Sequence, residues 1–139
     1  MESLHYLLMK AHTRMNRSIM GGAAGLGLSS GQPKVLEYLL QYGESDQKTI
    51  ASYCEIEPAT VGSILTRMEA AGLIQRERHE GNRRSLYVTL TREGRKMAER
   101  MELIFTESEK RACTGMTAEE EELLKELLAK VSAVLSDEA

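Results

Sequence analysis

Within residues 58–90 the spacing of apolar side chains changes from a helical period to a strand period. Pro58 suits the first turn of a helix, and the apolar residues after it recur at i, i+3, i+4 and i+7. These residues are Val61, Ile64, Leu65 and Met68. From there apolar and polar residues alternate, so residues 73–78 and 85–90 are predicted to be two strands joined by a charged tip over residues 79–84. A helix followed directly by a β-hairpin is expected.

The N-terminal segment is predicted to be a helix over about residues 2–19, with Leu4, Leu7 and Leu8 on one face. Residues 21–31 come next and contain five glycines. Because glycine weakens a helix, this stretch is predicted to be a loop or hinge.

Two further helices are predicted before residue 58. Ser29 or Ser30 is expected to cap the first, which stops at Gly43. The second is expected over about residues 46–53, with Ser45 as its cap. Together with the helix that begins at Pro58, they have the order of a helix-turn-helix unit.

Two long helices are predicted after the hairpin. Thr91 is expected to cap the first, which runs to about Cys113. Residues 117–120 match a capping box that opens the second. The second helix carries an apolar stripe, made of Leu124, Leu127, Leu128, Val131 and Leu135.

The predicted fold class is therefore mainly α with a small β-hairpin wing. We expect a single domain over residues 1–139, since this length holds one ordinary core. Its winged helix-turn-helix core is expected over about residues 30–96. Helical regions over about residues 1–20 and 97–139 carry apolar stripes that this small core cannot cover, which predicts a shared interface in a homodimer.

Charge is distributed unevenly along the chain. The net charge is −3 overall, but residues 73–96 hold seven basic and three acidic residues, a net charge of +4. A local basic patch inside an acidic chain is typical of a protein that binds nucleic acid. No apolar run is long enough to span a membrane, and no basic stretch precedes an apolar block at the N-terminus, so a cytoplasmic protein is expected.

The helix after Pro58 is predicted to read DNA. Its non-apolar face is small, polar and basic, and an α-helix of this kind fits the major groove. The side chains predicted to contact DNA there are Thr60, Ser63, Thr66 and Arg67. Arg83 and Arg84 at the hairpin tip are predicted to enter the minor groove or to contact its phosphates. The alternative is that these residues form an ordinary solvated surface.

Three stretches resemble the MarR family of bacterial regulators: residues 58–74, Asn82-Arg83-Arg84 and residues 88–94. The resemblance implies a homodimer on a palindromic operator in double-stranded DNA, usually acting as a repressor, with release by a small, often phenolic, effector. Asn82 occupies a wing position where the family usually has an acidic residue that orients arginines, so the pairing of Asn82 is expected to differ.

An effector pocket is predicted between the first helix and the DNA-binding core. The family resemblance suggests the place, and the first helix offers mixed apolar and polar candidates. These candidates are Tyr6, Met9, His12 and Met15. The alternative is that the chain's eight methionines simply fill the core.

No cofactor or metal is expected. His5, His12 and His79 share no ligand spacing with one another or with the cysteines. Cys54 and Cys113 are expected to be reduced thiols, with oxidation of Cys54 beside the reading helix as the alternative.

An enzyme is not expected, because none of the common nucleophile, zinc or phosphate-loop motifs occurs. The alternative of a different class is a winged-helix protein that binds another protein. Such a protein would bind DNA weakly and would tolerate the substitution Arg84→Ala.

Overall fold

The computed structural model describes residues 1–136, and the side chains of residues 82–84 lie outside that description. The described chain forms a helical body with one small antiparallel sheet, as predicted for a mainly α protein with a wing. The elements are α1 (Leu4–Gly25), α2 (Gln32–Tyr42), β1 (Ser45–Asp46), α3 (Gln47–Cys54), α4 (Pro58–Ala70), β2 (Ile74–His79), β3 (Asn82–Leu90), α5 (Arg92–Ala112) and α6 (Ala118–Leu135).

Helix α1 continues through part of the glycine-rich stretch, so the prediction of a loop or hinge over residues 21–31 was wrong for residues 21–25. The cause is packing against α5. A Cβ on Gly22 would lie 2.8 Å from Cγ2 of Ile104, and the neighbouring Ala23 is fully buried. Close contact between helices therefore outweighs the low helix propensity of glycine here. Only residues 26–31 connect α1 to α2.

Two of the predicted helix caps were also wrong. Helix α2 begins after Gly31, whose φ of 87° is left-handed, and no side chain caps it; Ser29 instead donates its backbone N–H to the side chain of Gln32. Helix α3 is capped by Asp46, because a carboxylate oxygen accepts the backbone N–H of Thr49 at 2.7 Å.

The caps predicted for the C-terminal helices are confirmed. The hydroxyl of Thr91 accepts the backbone N–H of Gly94 at the start of α5. At the start of α6, Thr117 and Glu120 form the reciprocal bonds of a capping box.

The sheet has the order β1–β3–β2, with both pairs antiparallel. Strands β2 and β3 form a longer hairpin than predicted, because β3 begins at Asn82 and only Glu80 and Gly81 remain for the turn. Gly81 has a φ of 87°, which the turn needs and which glycine adopts without strain. Strand β1 was not predicted, since two residues are too short to show a strand period.

The hydrophobic core lies between α2, α3, α4 and the sheet, with α5 covering one side. Its largest fully buried side chains include Leu36, Leu39, Ile50, Leu65 and Met68. Helix α5 adds Met101, and α1 adds Ala23. The core therefore fixes the orientation of α4 through its apolar side and leaves the opposite side exposed.

Helix α6 and the N-terminal half of α1 pack differently from the rest. None of the side chains of α6 is buried, although it has a long apolar stripe. In α1, residues 4–9 expose Leu4, Leu7 and Leu8, among others. No described helix is both long enough and apolar enough to span a membrane.

Candidate nucleic-acid interface

Helix α4 presents two distinct sides. Its apolar side is buried as predicted, with Val61, Ile64, Leu65 and Met68 each at most 3% exposed. The opposite side is exposed and carries only small or polar side chains. By helical spacing its centre is formed by Ala59, Ser63, Thr66 and Ala70. Small residues along this line let the helix backbone approach another surface closely.

The four side chains predicted on α4 do not all face the same way. Ser63 and Thr66 lie at the centre of the exposed side. Thr60 and Arg67 lie on one edge, where both also line a cavity between α4 and α1. The structure therefore brings Ser63 and Thr66 together, while Thr60 and Arg67 belong to two surfaces at once.

Arg76 on β2 connects the hairpin to α3 and α4. Its guanidinium donates to the carboxylate of Glu69 at 3.1 Å, to the hydroxyl of Thr66 at 3.0 Å and to the side-chain oxygen of Gln47 at 3.2 Å. Its backbone N–H also donates to Glu69. Because the Arg76 side chain is only 16% exposed, these bonds hold β2 firmly against α3 and α4.

The hydrogen bonds that Arg76 makes to α3 and α4, called here the Arg76 network, were not predicted from the sequence. Gln47 and Arg76 are 29 residues apart, and no local pattern connects them. The available signal was the short connection between α4 and β2, which places a basic residue early in β2 close to Glu69 near the end of α4.

The β2–β3 hairpin projects beside α4 and carries much of the basic segment. Arg78 pairs in register with Leu86, and the register shifts between Arg78 and His79. By their backbones Arg83 and Arg84 belong to β3, not to a loop at the tip as predicted. Their side chains lie outside the described residues, so their predicted contacts remain predictions.

The predicted pocket coincides with a cavity of about 530 Å³ between α1, α2, α4 and α5. Of the four predicted side chains, His12 and Met15 line it, whereas Tyr6 and Met9 lie nearer the N-terminus on exposed parts of α1. The cavity is also lined by residues from α2, α4 and α5, which were not predicted from the sequence as pocket residues. These include Lys34, Glu37, Ile64, Arg67 and Phe105.

The cavity combines an apolar floor with charged groups at its edge. Ile64 is buried, while Lys34 and Arg67 are exposed cations. Glu37 is exposed at the cavity edge, but partial burial of its carboxyl group raises its pKa. The negative charges of Glu109 and Glu102 on α5 raise this pKa further. The cavity lining therefore offers apolar contacts together with two cations and one carboxyl group.

One group of described residues has the donor atoms to hold a metal ion. Glu44, Glu77 and His79 have ligand atoms within 4.8 Å of one another, and Nε2 of His79 lies 3.2 Å from a carboxylate oxygen of Glu44. The imidazole stacks on the ring of Tyr87 with centroids 3.8 Å apart. All three ligands are at least partly exposed, as is common for surface ion pairs.

The two cysteines are free thiols. Cys54 is buried, and this burial raises the pKa of its thiol, with Lys34 acting in the opposite direction. A protonated, buried thiol reacts slowly with oxidants, which argues against oxidation of Cys54 as the control of this protein.

Comparison with known proteins identifies transcription regulators that are similar to this chain. Residues 28–86 match the sequence model of the MarR family. The chain is 34% identical over 101 residues to the uncharacterized HTH-type transcriptional regulator YwoH of Bacillus subtilis, covering 73% of each chain. It is 26% identical over 130 residues to the HTH-type transcriptional repressor Rv2887 of Mycobacterium tuberculosis, covering 94% of each.

Solved structures resemble the whole chain. The MepR–DNA complex of S. aureus has a TM-score of 0.87 at 26% identity, covering 97% of this chain and all of that one. The BpsR regulator of Bordetella bronchiseptica, described for control of its DNA binding by 6-hydroxynicotinic acid, has a TM-score of 0.85 at 26% identity. That match covers 94% of this chain and 99% of BpsR.

Proposed function

Because this chain belongs to the MarR family of transcription regulators, we propose that it represses transcription by binding a palindromic operator as a homodimer. Members of the family are transcription regulators, and the chain is not an enzyme. The proposed place of action is the cytoplasm, where the operator lies on bacterial DNA.

The observation that carries the proposal is the exposed side of α4. A buried apolar side fixes this helix, and the exposed side offers Ser63 and Thr66 between small residues. Base edges in the major groove of DNA are read by helices of this kind. The similar MepR structure is a complex with DNA, which supports DNA binding by this chain.

The wing is proposed to contact the neighbouring minor groove. The support comes from the sequence: residues 73–96 carry the only large excess of positive charge, and Arg83 and Arg84 lie close to the turn of the hairpin. Guanidinium groups favour a narrow minor groove because its electrostatic potential is strongly negative. Thr60 and Arg67 on the edge of α4 are proposed to contact phosphates or bases beside Ser63 and Thr66.

A second copy of the chain is proposed to cover the apolar faces of α1 and α6. Helix α6 has 18 residues and buries none of them, whereas helices in proteins owe most of their stability to packing of an apolar face. The proposed interface uses the helical regions over about residues 1–20 and 97–139, leaving the core over about residues 30–96 to bind DNA. Two-fold symmetry then places two α4 helices about 34 Å apart, one turn of B-DNA.

The cavity beside α1 is proposed to bind a small aromatic acid. Lys34 and Arg67 supply positive charge for a carboxylate, and Met15 and Phe105 supply apolar contact for a ring. The hydroxylated aromatic acid named for BpsR supports this class of ligand. Since Thr60 and Arg67 belong both to the cavity wall and to the edge of α4, a ligand there would alter the surface that meets DNA.

Selection of bound duplexes from a random DNA library tests this proposal. The native chain and the Arg84→Ala variant are compared at one stated salt concentration, because affinity for DNA depends strongly on salt. We expect a palindrome with half-sites about one helical turn apart, and weaker enrichment by the variant. If neither protein enriches any sequence at low salt, the winged fold serves a protein partner and the proposal fails.

A further inference from the structure

The hydroxyl of Thr66 already makes two hydrogen bonds within the protein. It donates to the backbone carbonyl of Gly62 at 2.9 Å and accepts from Nη2 of Arg76 at 3.0 Å. Both bonds lie on the exposed side of α4, and Thr66 itself remains exposed. The side chain is therefore held in one orientation on the surface proposed to meet DNA.

These two bonds limit what the Thr66 hydroxyl can do next. A hydroxyl has one hydrogen to donate and two lone pairs that accept. Because the hydrogen points to Gly62, only one lone pair is left for another molecule. Thr66 can accept a hydrogen bond there but cannot donate one to a phosphate, to guanine or to thymine. Its methyl group remains available for apolar contact.

We propose that Thr66 determines specificity for an A·T base pair in each half-site, reading the amino group of adenine with its hydroxyl and the methyl group of thymine with its own methyl. This inference rests on the proposed binding of DNA through α4. An A·T pair is the base pair that presents both an amino donor and a methyl group in the major groove.

Arg76 acts in this proposal as a positioning residue. Its guanidinium occupies one lone pair of Thr66 and is itself anchored by two bonds from its side chain to the carboxylate of Glu69. It also donates to the side-chain oxygen of Gln47, which leaves the amide group of Gln47 as a donor. Arg76 thereby occupies one acceptor site on Thr66 and one on Gln47, while the carbonyl of Gly62 takes the hydrogen of Thr66.

The first test uses the selected operator and the Thr66→Val variant, which replaces the hydroxyl by a methyl group of similar size. The base pair opposite Thr66 is the position where this variant changes the selected sequence. We expect the native chain to select A·T there. Replacing that adenine by purine, which lacks the amino group, should weaken native binding about fivefold and leave the variant unaffected, as expected for one hydrogen bond.

Two matched variants separate the hydroxyl from the methyl group. Thr66→Ser keeps the hydroxyl, so replacing the thymine by uracil should weaken the native chain but not this variant. Ser63→Ala removes a neighbouring hydroxyl from the same side of α4, and purine substitution should still weaken its binding as in the native chain. Guanine or cytosine preferred opposite Thr66, or an unchanged preference in Thr66→Val, would overturn the inference.

The Arg76→Met variant tests the positioning role. We expect the base preference to relax most at this position, because Arg76 contacts Thr66 directly, with the salt dependence of binding unchanged. A uniform loss across all positions would show a purely structural role, and a salt slope smaller by about one would show that Arg76 contacts a phosphate itself. If the native chain enriches no sequence at all, the proposed function fails and this inference with it. An enriched palindrome that is indifferent to Thr66 overturns only the inference.

Discussion

At the scale of single residues, close packing explains why glycine occurs at Gly22 in α1 and at Gly94 in α5. Gly94 lies in the first turn of α5, where a Cβ would overlap the backbone carbonyl of Leu73. That carbonyl accepts the backbone N–H of Thr91, so α5 begins directly on the end of α4 and the start of β2. At Gly21 on α1, in contrast, no other described part of the chain beyond the local helix backbone lies within 4 Å of where its Cβ would be.

Gly94 and Gly21 predict opposite effects of the same substitution. Gly94→Ala should lower the free energy of unfolding by about 2–3 kcal/mol, because backbone atoms must move to admit the methyl group. Gly21→Ala should raise it by about 0.5–1 kcal/mol through better helix propensity. Urea denaturation at pH 7 measures both. Equal effects of the two substitutions would contradict the packing described for α5.

A charged cap starts α3. The carboxylate of Asp46 accepts the backbone N–H of Thr49, and this bond lowers the pKa of Asp46. A carboxyl group whose pKa is lower in the folded state stabilises the fold above its unfolded pKa. This stabilisation is lost as the pH falls through the folded pKa.

Asp46→Ala should therefore destabilise the protein by about 1 kcal/mol at pH 7. The difference from the native chain should shrink below about pH 4, where the unfolded carboxyl begins to bind its proton. Asp46→Asn is the control, since an amide oxygen can cap a helix without titrating. Denaturation midpoints from pH 7 to pH 3 measure this, and a difference that stays constant with pH would argue against a charged cap.

At the scale of elements, sequence patterns were reliable where the determining contacts are local. The buried side of α4, the cap at Thr91 and the capping box of α6 each depend on residues within about two turns. The helical course of residues 21–25 depends on Ile104, far along the chain, and was missed. The Arg76 network joins three elements and was missed for the same reason.

Helices α1 and α6 present apolar faces that residues 1–136 leave exposed. Leu127 lies on the stripe of α6 and is 48% exposed, while Ala129 lies on the other side by helical spacing. A charge on the stripe would be buried in the proposed homodimer, and a charge on the other side would face water.

Leu127→Glu should therefore shift the protein toward the monomer mass of 15.5 kDa and weaken operator binding at least tenfold. Ala129→Glu introduces the same charge and should leave both properties unchanged. Sedimentation at micromolar concentration measures the mass. A native chain that sediments as a monomer would remove the basis of the proposed interface.

At the scale of the whole molecule, the cavity and α4 share side chains. Thr60 and Arg67 line the cavity, and they belong to the helix proposed to read DNA. Any ligand that binds the DNA-free form more tightly must lower DNA affinity, and DNA must lower the affinity for that ligand by the same factor.

We predict this reciprocity for 6-hydroxynicotinic acid or another hydroxylated aromatic acid from a panel. Lys34→Ala should weaken ligand binding about tenfold by removing a cation at the cavity edge. Lys10→Ala is the control, since Lys10 lies over the ring of Tyr6, away from the cavity. Calorimetry with and without operator measures both affinities. Equal ligand affinity with and without DNA would show that the cavity does not control operator binding.

In the proposed complex with DNA, two α4 helices of one homodimer read two half-sites together. The most direct test compares three duplexes: the selected palindrome, the same palindrome with five base pairs inserted between its half-sites, and a scrambled sequence. Five base pairs rotate one half-site by about half a helical turn, away from the second α4. We predict that the insertion lowers the affinity at least 100-fold, close to that of the scrambled duplex. Equal affinity for the palindrome and the inserted duplex would contradict a two-headed reader.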